Sequence, residues 1–258
     1  MDLLNLKLDK NEGIATIIID RQGKLNSLNK DTVYEFKGVL EELENDEDIR
    51  VIIITGAGDK SFCVGTDIDW LNEWSMQDEL AYNGQNLISK IETMPQPVIA
   101  AINGYALGGD CELILACDIR ICSNKAKLGL PEVDLGVIPG YGGTQRLSRI
   151  IGIGKAKELI LTGDTIDAKE AEKIGLVNRI VDHDNLMAEA IVLANKIKKK
   201  GPIAVRLAKA AINLSSSIDL SSGMIVEKMV QAALINTQDK KEGIAAFKEK
   251  RKPNFTGR

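Results

Sequence analysis

The sequence predicts an α/β protein with mainly parallel strands and an all-helical C-terminal region, on three observations. Short β-branched, nearly all-apolar runs alternate with helical patterns, with glycine-bearing turns between them. That strand–glycine–helix theme returns at intervals of roughly fifty residues, the mark of a coiled repeat of one unit. After about Ala168 glycine thins out and amphipathic helical periodicity takes over.

The elements follow in order. Gly13–Asp20 is β-branched and almost wholly apolar, as a strand covered on both faces is. A turn over Arg21–Lys24 follows, and Asn29 reads as the N-cap of a helix that places Val33, Phe36, Val39 and Leu40 on one face. Val51–Ile54 is a second buried strand, ended by Thr55-Gly56-Ala57-Gly58. A helix-compatible stretch runs from about Asp67 to Ile91, closed by Pro95 and Pro97, and Val98–Ile102 is a third buried strand. Beyond Ala168 the segments Leu186–Lys200, Ile203–Leu214, Leu220–Ile235 and Lys241–Lys250 read as helices, with no strand among them. The 258 residues are read as an α/β core over 1–195 and a helical region over 196–258 that serves oligomerisation.

Composition excludes several classes. Hydrophobic residues make up 44% and charged ones 27%, and the net charge is −4, so nothing in the overall balance points to nucleic acid or an anionic membrane. There is one histidine, His183, in a polar stretch that reads as a loop; any chemistry needing two histidines is ruled out. The cysteines at 63, 111, 117 and 122 form no C-x-x-C pair and sit in apolar surroundings, where free cysteine acts as a small hydrophobe. Met1–Asn5 lacks the basic and apolar regions of a signal peptide, and no run is long enough to span a bilayer, so a cytoplasmic, reduced setting is expected.

The chemistry concentrates in the middle of the chain, where eight of the 23 glycines lie between Gly104 and Gly143. Two glycine turns, Ser61–Ile68 and Ile102–Glu112, each follow a strand and lead into a helix, where the first amides lack intrahelical partners. Two such amides converging on one point make an oxyanion hole. The phosphate-loop pattern fails over Arg149–Ala156, and Gly140-Tyr141-Gly142-Gly143 lacks dinucleotide-loop spacing. Glu112 lies one turn after Gly109 among Cys111, Leu113 and Ile114, and Glu132 follows Pro131 in similar company. Taken alone each Glu also reads as a helix-cap acceptor or ion-pair partner, but burial raises a carboxyl toward neutral pH, and two such groups on one cavity beside glycine turns can divide acid and base work without histidine.

These residues carry a resemblance. Phe62-Cys63-Val64-Gly65-Thr66-Asp67-Ile68 resembles the F-x-x-G-x-D-I turn of the crotonase (enoyl-CoA hydratase/isomerase) family, and Ala101–Leu113 resembles its second turn. Pro131–Gly136 and Pro139–Leu147 complete the signature, and the similarity runs to Phe247–Arg251. The resemblance implies a right-handed spiral of ββα units with a helical C-terminal region, a homotrimer or a hexamer of two trimers, and a place in fatty-acid metabolism through beta-oxidation. It implies backbone amides at Thr66 and Gly109 as the oxyanion hole, and Glu112 and Glu132 as the catalytic pair of an enoyl-CoA hydratase. Glu132 exchanges the C2 proton, while Glu112 orients and deprotonates water. Substrate contacts fall to Lys24, Leu25, Gly65, Asp67, Ile68, Gly108 and Gly140. The partner is an acyl-CoA thioester, with no separate cofactor, metal, nucleic acid or membrane.

Three departures bear on the substrate. Thr66 stands where many hydratases have Ala, Asp110 replaces the third glycine of G-G-G-C-E and reads as a helix cap, and Asp69 sits where several relatives carry Lys. Isomerisation, hydration of branched or cyclic enoyl-CoA esters, and a non-catalytic acyl-CoA or RNA-binding relative are the rival readings.

Overall fold

The computed structural model describes residues 3–81 and 84–258. It begins with an antiparallel hairpin, β1 (Leu6–Asn11) and β2 (Ile14–Ile19). The first strand escapes a reading by hydrophobicity because its burial is confined mostly to Leu6, and Lys7, Asp9 and Lys10 break the apolar run. Helix α1 (Lys30–Glu44) follows with the expected cap, the Asn29 side chain accepting the Thr32 N–H at 2.9 Å. It buries Phe36, Leu40 and Leu43 completely, each contributing roughly 1.5–3 kcal/mol of apolar transfer.

From there the chain coils in strand–strand–helix units. The first comprises β3 (Val51–Gly56), β4 (Ser61–Cys63) and three short helices, α2 (Ile68–Asn72), α3 (Met76–Ala81) and α4 (Gly84–Thr93). The helical pattern across 67–91 is thus divided, and it includes Tyr82 and Asn83, which lie outside the described residues, as do Met1 and Asp2. The second comprises β5 (Val98–Ile102), β6 (Tyr105–Leu107) and α5 (Gly109–Ala116). The third holds β7 (Ile119–Ser123) and β8 (Lys127–Gly129), then α6 (Gly143–Ile151) and α7 (Ile153–Thr162).

In each unit the first strand joins one sheet and the second joins another. The six-stranded sheet has the order β1-β2-β3-β5-β7-β10, and the four-stranded sheet has β4-β6-β8-β9. Every pairing is parallel except β1 with β2 and β8 with β9. Strands covered on both faces explain the unbroken apolar runs: all six positions of β3 and all five of β5 are buried.

The region after Ala168 corrects one expectation. After β9 (Thr165–Asp167) and α8 (Ala168–Lys173), a short strand β10 (Arg179–Val181) pairs in parallel with β7 and closes the large sheet. Its three residues are only half-buried, so it carries no apolar signal. Helix α9 (Leu186–Lys198) then lays Leu186, Ala190 and Ala194 against β3, β5 and β7, so a boundary between 195 and 196 falls inside a helix packed on the sheet. The remaining helices are α10 (Pro202–Leu214), α11 (Leu220–Ile235) and α12 (Gln238–Lys248). Lys209 of α10 is buried and bonds the Asp118 carboxylate at 2.7 Å and the Gln96 carbonyl at 3.1 Å, fastening the helical region to the sheet. All four cysteines are buried and free.

Candidate active site

The first glycine turn is built by backbone constraint. Gly65 adopts φ +88°, open to glycine and rarely to other residues. Its carbonyl accepts the Leu28 N–H at 2.9 Å, and the Leu28 carbonyl accepts the Asp67 N–H at 2.8 Å. In a parallel bridge of this kind the intervening residue, Thr66, turns its own N–H away from Leu28. The Asp67 carboxylate accepts the Asp69 N–H at the start of α2 and pairs with Arg21 at 3.1 Å. Burial opposes its ionisation, but these partners outweigh it and hold the group below the usual carboxylate range.

The second turn lies against the first. Gly108 has φ +61° and ψ −137°, a combination L side chains avoid, and it redirects the chain from β6 into α5. A Cβ on Gly65 would lie 3.3 Å from the Leu107 carbonyl oxygen and 3.8 Å from the Gly109 nitrogen. A Cβ on Gly109 would lie 3.8 Å from the Thr66 hydroxyl. The N–H groups of Thr66 and Gly109 donate no hydrogen bond among the described residues. Two free amides therefore stand at the contact of the two turns.

Both glutamates reach this place. Glu112 is buried in α5, and its Oε1 accepts the N–H of Tyr141 at 2.8 Å and of Gly143 at 2.6 Å. Gly143 opens α6, so that helix's positive end also faces the carboxylate. Glu132 begins a 3-10 turn over Glu132–Leu135, and neither of its buried carboxyl oxygens has a partner among the described residues. Its Oε1 would lie 3.6 Å from a Cβ on Gly108. Burial pushes Glu112 up to about 8, with the proximity of Glu132 adding to the rise and the Gly143 amide opposing it. Burial likewise pushes Glu132 up to about 7.

The remaining predicted positions divide. The Gly140 carbonyl accepts a bond from Gln85 at 2.9 Å, in the loop that leads to the Tyr141 and Gly143 amides. Lys24, Leu25 and Ile68 are exposed, and Lys24 pairs with Asp69 at 3.0 Å. The charge change at Asp69 thus meets its counter-ion in Lys24. Asp110 departs from its expected role. The N-cap of α5 is Gly108 and receives no side-chain bond; the fully buried Asp110 reaches across to accept the Gly65 N–H at 2.5 Å.

Several framing residues escape sequence reading. Asn26 is buried at φ +63° and donates to the carbonyls of Ala57 and Ser61, while Asn103 donates to those of Gly56, Gly58 and Ser61. Together they hold the approach to the first turn. An asparagine looks in sequence like any loop residue; of the two, Asn26 alone is marked by a positive φ.

His183 has a tertiary role. Its Nδ1 lies 3.0 Å from the Ser123 hydroxyl and its Nε2 3.4 Å from Asp59. The order resembles a nucleophilic triad, but Ser123 has no exposed surface and also accepts the Lys125 N–H. The contact clasps the 183–185 turn to β7. His183→Gln is expected to leave kcat within twofold and lower Tm by about 2–4 °C, the effect of one lost hydrogen bond in a chain of this size. A hundredfold loss of turnover in a steady-state assay would overturn this.

No group of three or more His, Cys, Asp or Glu side chains is arranged to hold a metal ion among the described residues. No helix among them is long and apolar enough to cross a membrane.

The model of the enoyl-CoA hydratase/isomerase family matches residues 9–258. A crotonyl-CoA hydratase of Syntrophomonas wolfei is 47% identical, over 97% of both chains. A short-chain-enoyl-CoA hydratase of Clostridium acetobutylicum is 44% identical, over 98% of this chain and 97% of that one. The crystal structure of an enoyl-CoA hydratase from Bacillus anthracis superposes with a TM-score of 0.96 at 44% identity, covering 99% of this chain and all of that one. The spiral of ββα units is thus the crotonase fold, and the chain belongs to the enoyl-CoA hydratase/isomerase family.

Proposed function

We propose that the protein is an enoyl-CoA hydratase that adds water reversibly across the C2=C3 bond of a 2-enoyl-CoA, giving a 3-hydroxyacyl-CoA. One observation carries the reading: an amide-anchored carboxyl, Glu112, and an unpartnered one, Glu132, lie beside two undonated amides. The Thr66 and Gly109 N–H groups bind the thioester oxygen and stabilise the enolate charge that develops there; one such donor is typically worth about 3–4 kcal/mol. Glu112, fixed through Oε1, directs Oε2 at water and takes its proton as the oxygen bonds to C3. Glu132 gives its proton to C2. The proton gained by one carboxyl equals that lost by the other, so the pair is restored by exchange with solvent. Two acids raised to about 8 and about 7 share one proton near neutral pH; Glu112 holds it more often, and hydration proceeds from the tautomer in which it sits on Glu132 and Glu112 is ionised.

The acyl group is short and unbranched on this reading, supported by the crotonyl- and short-chain specificities in the names of two relatives. Coenzyme A enters as part of the substrate, and no separate cofactor takes part. We further propose a homotrimer or a pair of trimers acting in beta-oxidation in the cytoplasm. Exposed Leu220, Met224, Ile225 and Met229 along α11 support assembly, since apolar surface of this kind marks an interface.

Turnover of crotonyl-CoA and longer, branched and cyclic enoyl-CoAs in 18O-water tests the reading. Label is expected at C3, with kcat/KM highest for crotonyl-CoA and a mass of three or six chains by light scattering. Double-bond migration without label at C3 would establish an isomerase instead.

A further inference from the structure

The buried carboxylate at position 110 has no part in the proton transfers above, yet it bridges the two glycine turns at the residues next to the two free donors. Its Oδ2 accepts the Gly65 N–H at 2.5 Å across 45 residues of sequence, and the carboxylate also faces the buried Cys63 thiol of the first turn. Both ends of the bridge matter. Gly65 immediately precedes Thr66, and its own carbonyl belongs to the peptide that carries the Thr66 N–H. Asp110 immediately follows Gly109, whose N–H is the second free donor.

We propose that Asp110 is the positioning residue of the oxyanion hole, setting the spacing and direction of the Thr66 and Gly109 amides by locking one turn onto the other. The proposal rests on the reading of those two amides as the carbonyl-binding donors.

The constraints on residue 65 explain why a lock is needed. Leu28 holds the Gly65 carbonyl and the Asp67 N–H, both on one side of the turn. Nothing on that side fixes rotation about the Gly65 N–Cα bond, and at φ +88° a glycine has freedom that other residues lack. A third attachment at the Gly65 N–H removes that freedom. It comes from the helix that bears the other donor, so the two amides move as one body. Burial pushes Asp110 up to about 7, and either protonation state leaves Oδ2 able to accept the N–H. An uncharged acceptor of the same shape should therefore serve, and a side chain unable to reach Gly65 should not.

Full-length wild type, Asp110→Asn, Asp110→Ala and Asp110→Ser test this. With crotonyl-CoA, Asp110→Ala and Asp110→Ser are expected to lose about 10- to 100-fold in kcat with KM within about threefold, a part of the 10²–10³ lost with a whole donor. Asp110→Asn, whose amide oxygen still reaches Gly65, is expected within about threefold of wild type. The infrared carbonyl stretch of bound butanoyl-CoA, 13C-labelled at the thioester carbon, reads the hole without turnover. A shift to lower frequency is expected in wild type and Asp110→Asn, and at most half of it in the Ala and Ser variants. If Asp110→Ala does not fold, Asp110→Ser carries the comparison, since serine suits a helix's first turn but is one bond too short. Full kcat and an undiminished shift in the Ala or Ser variant would overturn the role of Asp110 alone, as would a loss in Asp110→Asn equal to that in Asp110→Ala. No shift in wild type would instead remove the oxyanion reading itself.

Discussion

Glu132→Gln is expected to lower kcat for hydration by 10²–10⁴-fold, the range supplied by a positioned general acid or base, while making the fold more stable in alkali. The two effects have one cause. Both Glu132 oxygens are buried without partners among the described residues, and burial raises the group from 4.5 to about 7. In the unfolded chain it ionises near 4.5, so from there to about 7 the folded chain holds the extra proton and stability falls as pH rises. Glutamine carries no such slope. Its advantage over wild type should be near zero at pH 5 and about 1–2 kcal/mol at pH 8.5, a figure reduced for partial solvent access. Thermal melts at the two pH values measure it; equal Tm differences at both would sink the argument. In wild type, kcat against pH should be bell-shaped with its maximum between 7 and 8, because acidification protonates both carboxyls and alkali strips both.

Gly104→Ala is expected to destabilise the chain by about 3 kcal/mol or more, the upper range for overpacking. An added Cβ would meet the Lys60 carbonyl oxygen at 2.1 Å, its carbon at 2.5 Å and the Ser61 nitrogen at 2.9 Å. All three are backbone atoms, so no rotamer change relieves the clash. The Tyr105 N–H bonds that same Lys60 carbonyl, and β6 pairs with β4 directly beyond. Separating these strands separates the turns that end them, Gly65 from Gly108, so the folded fraction should also lose turnover. Denaturant melts with activity per folded molecule check both parts; a melt within 1 kcal/mol of wild type would contradict the geometry.

The legible and the hidden parts of this molecule differ physically. Strands β2, β3 and β5 are buried on both faces and show as unbroken β-branched runs, and Asn29 shows as a cap because a side chain bonding its own helix is a local event. Strands β4, β6, β8 and β10 have three residues each, too short for any periodicity; they exist because neighbours 22 to 58 residues away supply their hydrogen bonds. Within the site, the glycine turns around Gly65 and Gly108 and the acids Glu112 and Glu132 in apolar company are legible from the residues, while the Thr66 and Gly109 amides are singled out only by the family resemblance. The Tyr141 and Gly143 amides on Glu112 are not legible, since any residue but proline supplies an N–H. Asp110 misleads: an acid at the second position of a helix looks like a cap, and only the approach of Gly65 draws it across to the first turn.

The alternation of strands between two sheets has a temporal consequence. Each turn of the coil brings one segment to the same place: residues 65–66, then 108–112, then 132 and 141–143. Helices form from contacts within a few residues, on a microsecond scale, whereas the Gly65–Asp110 and Glu112–Gly143 links close loops of 45 and 31 residues. On the proposed reading the site is complete only once three consecutive coils have stacked, since no single coil holds both amides and both carboxyls.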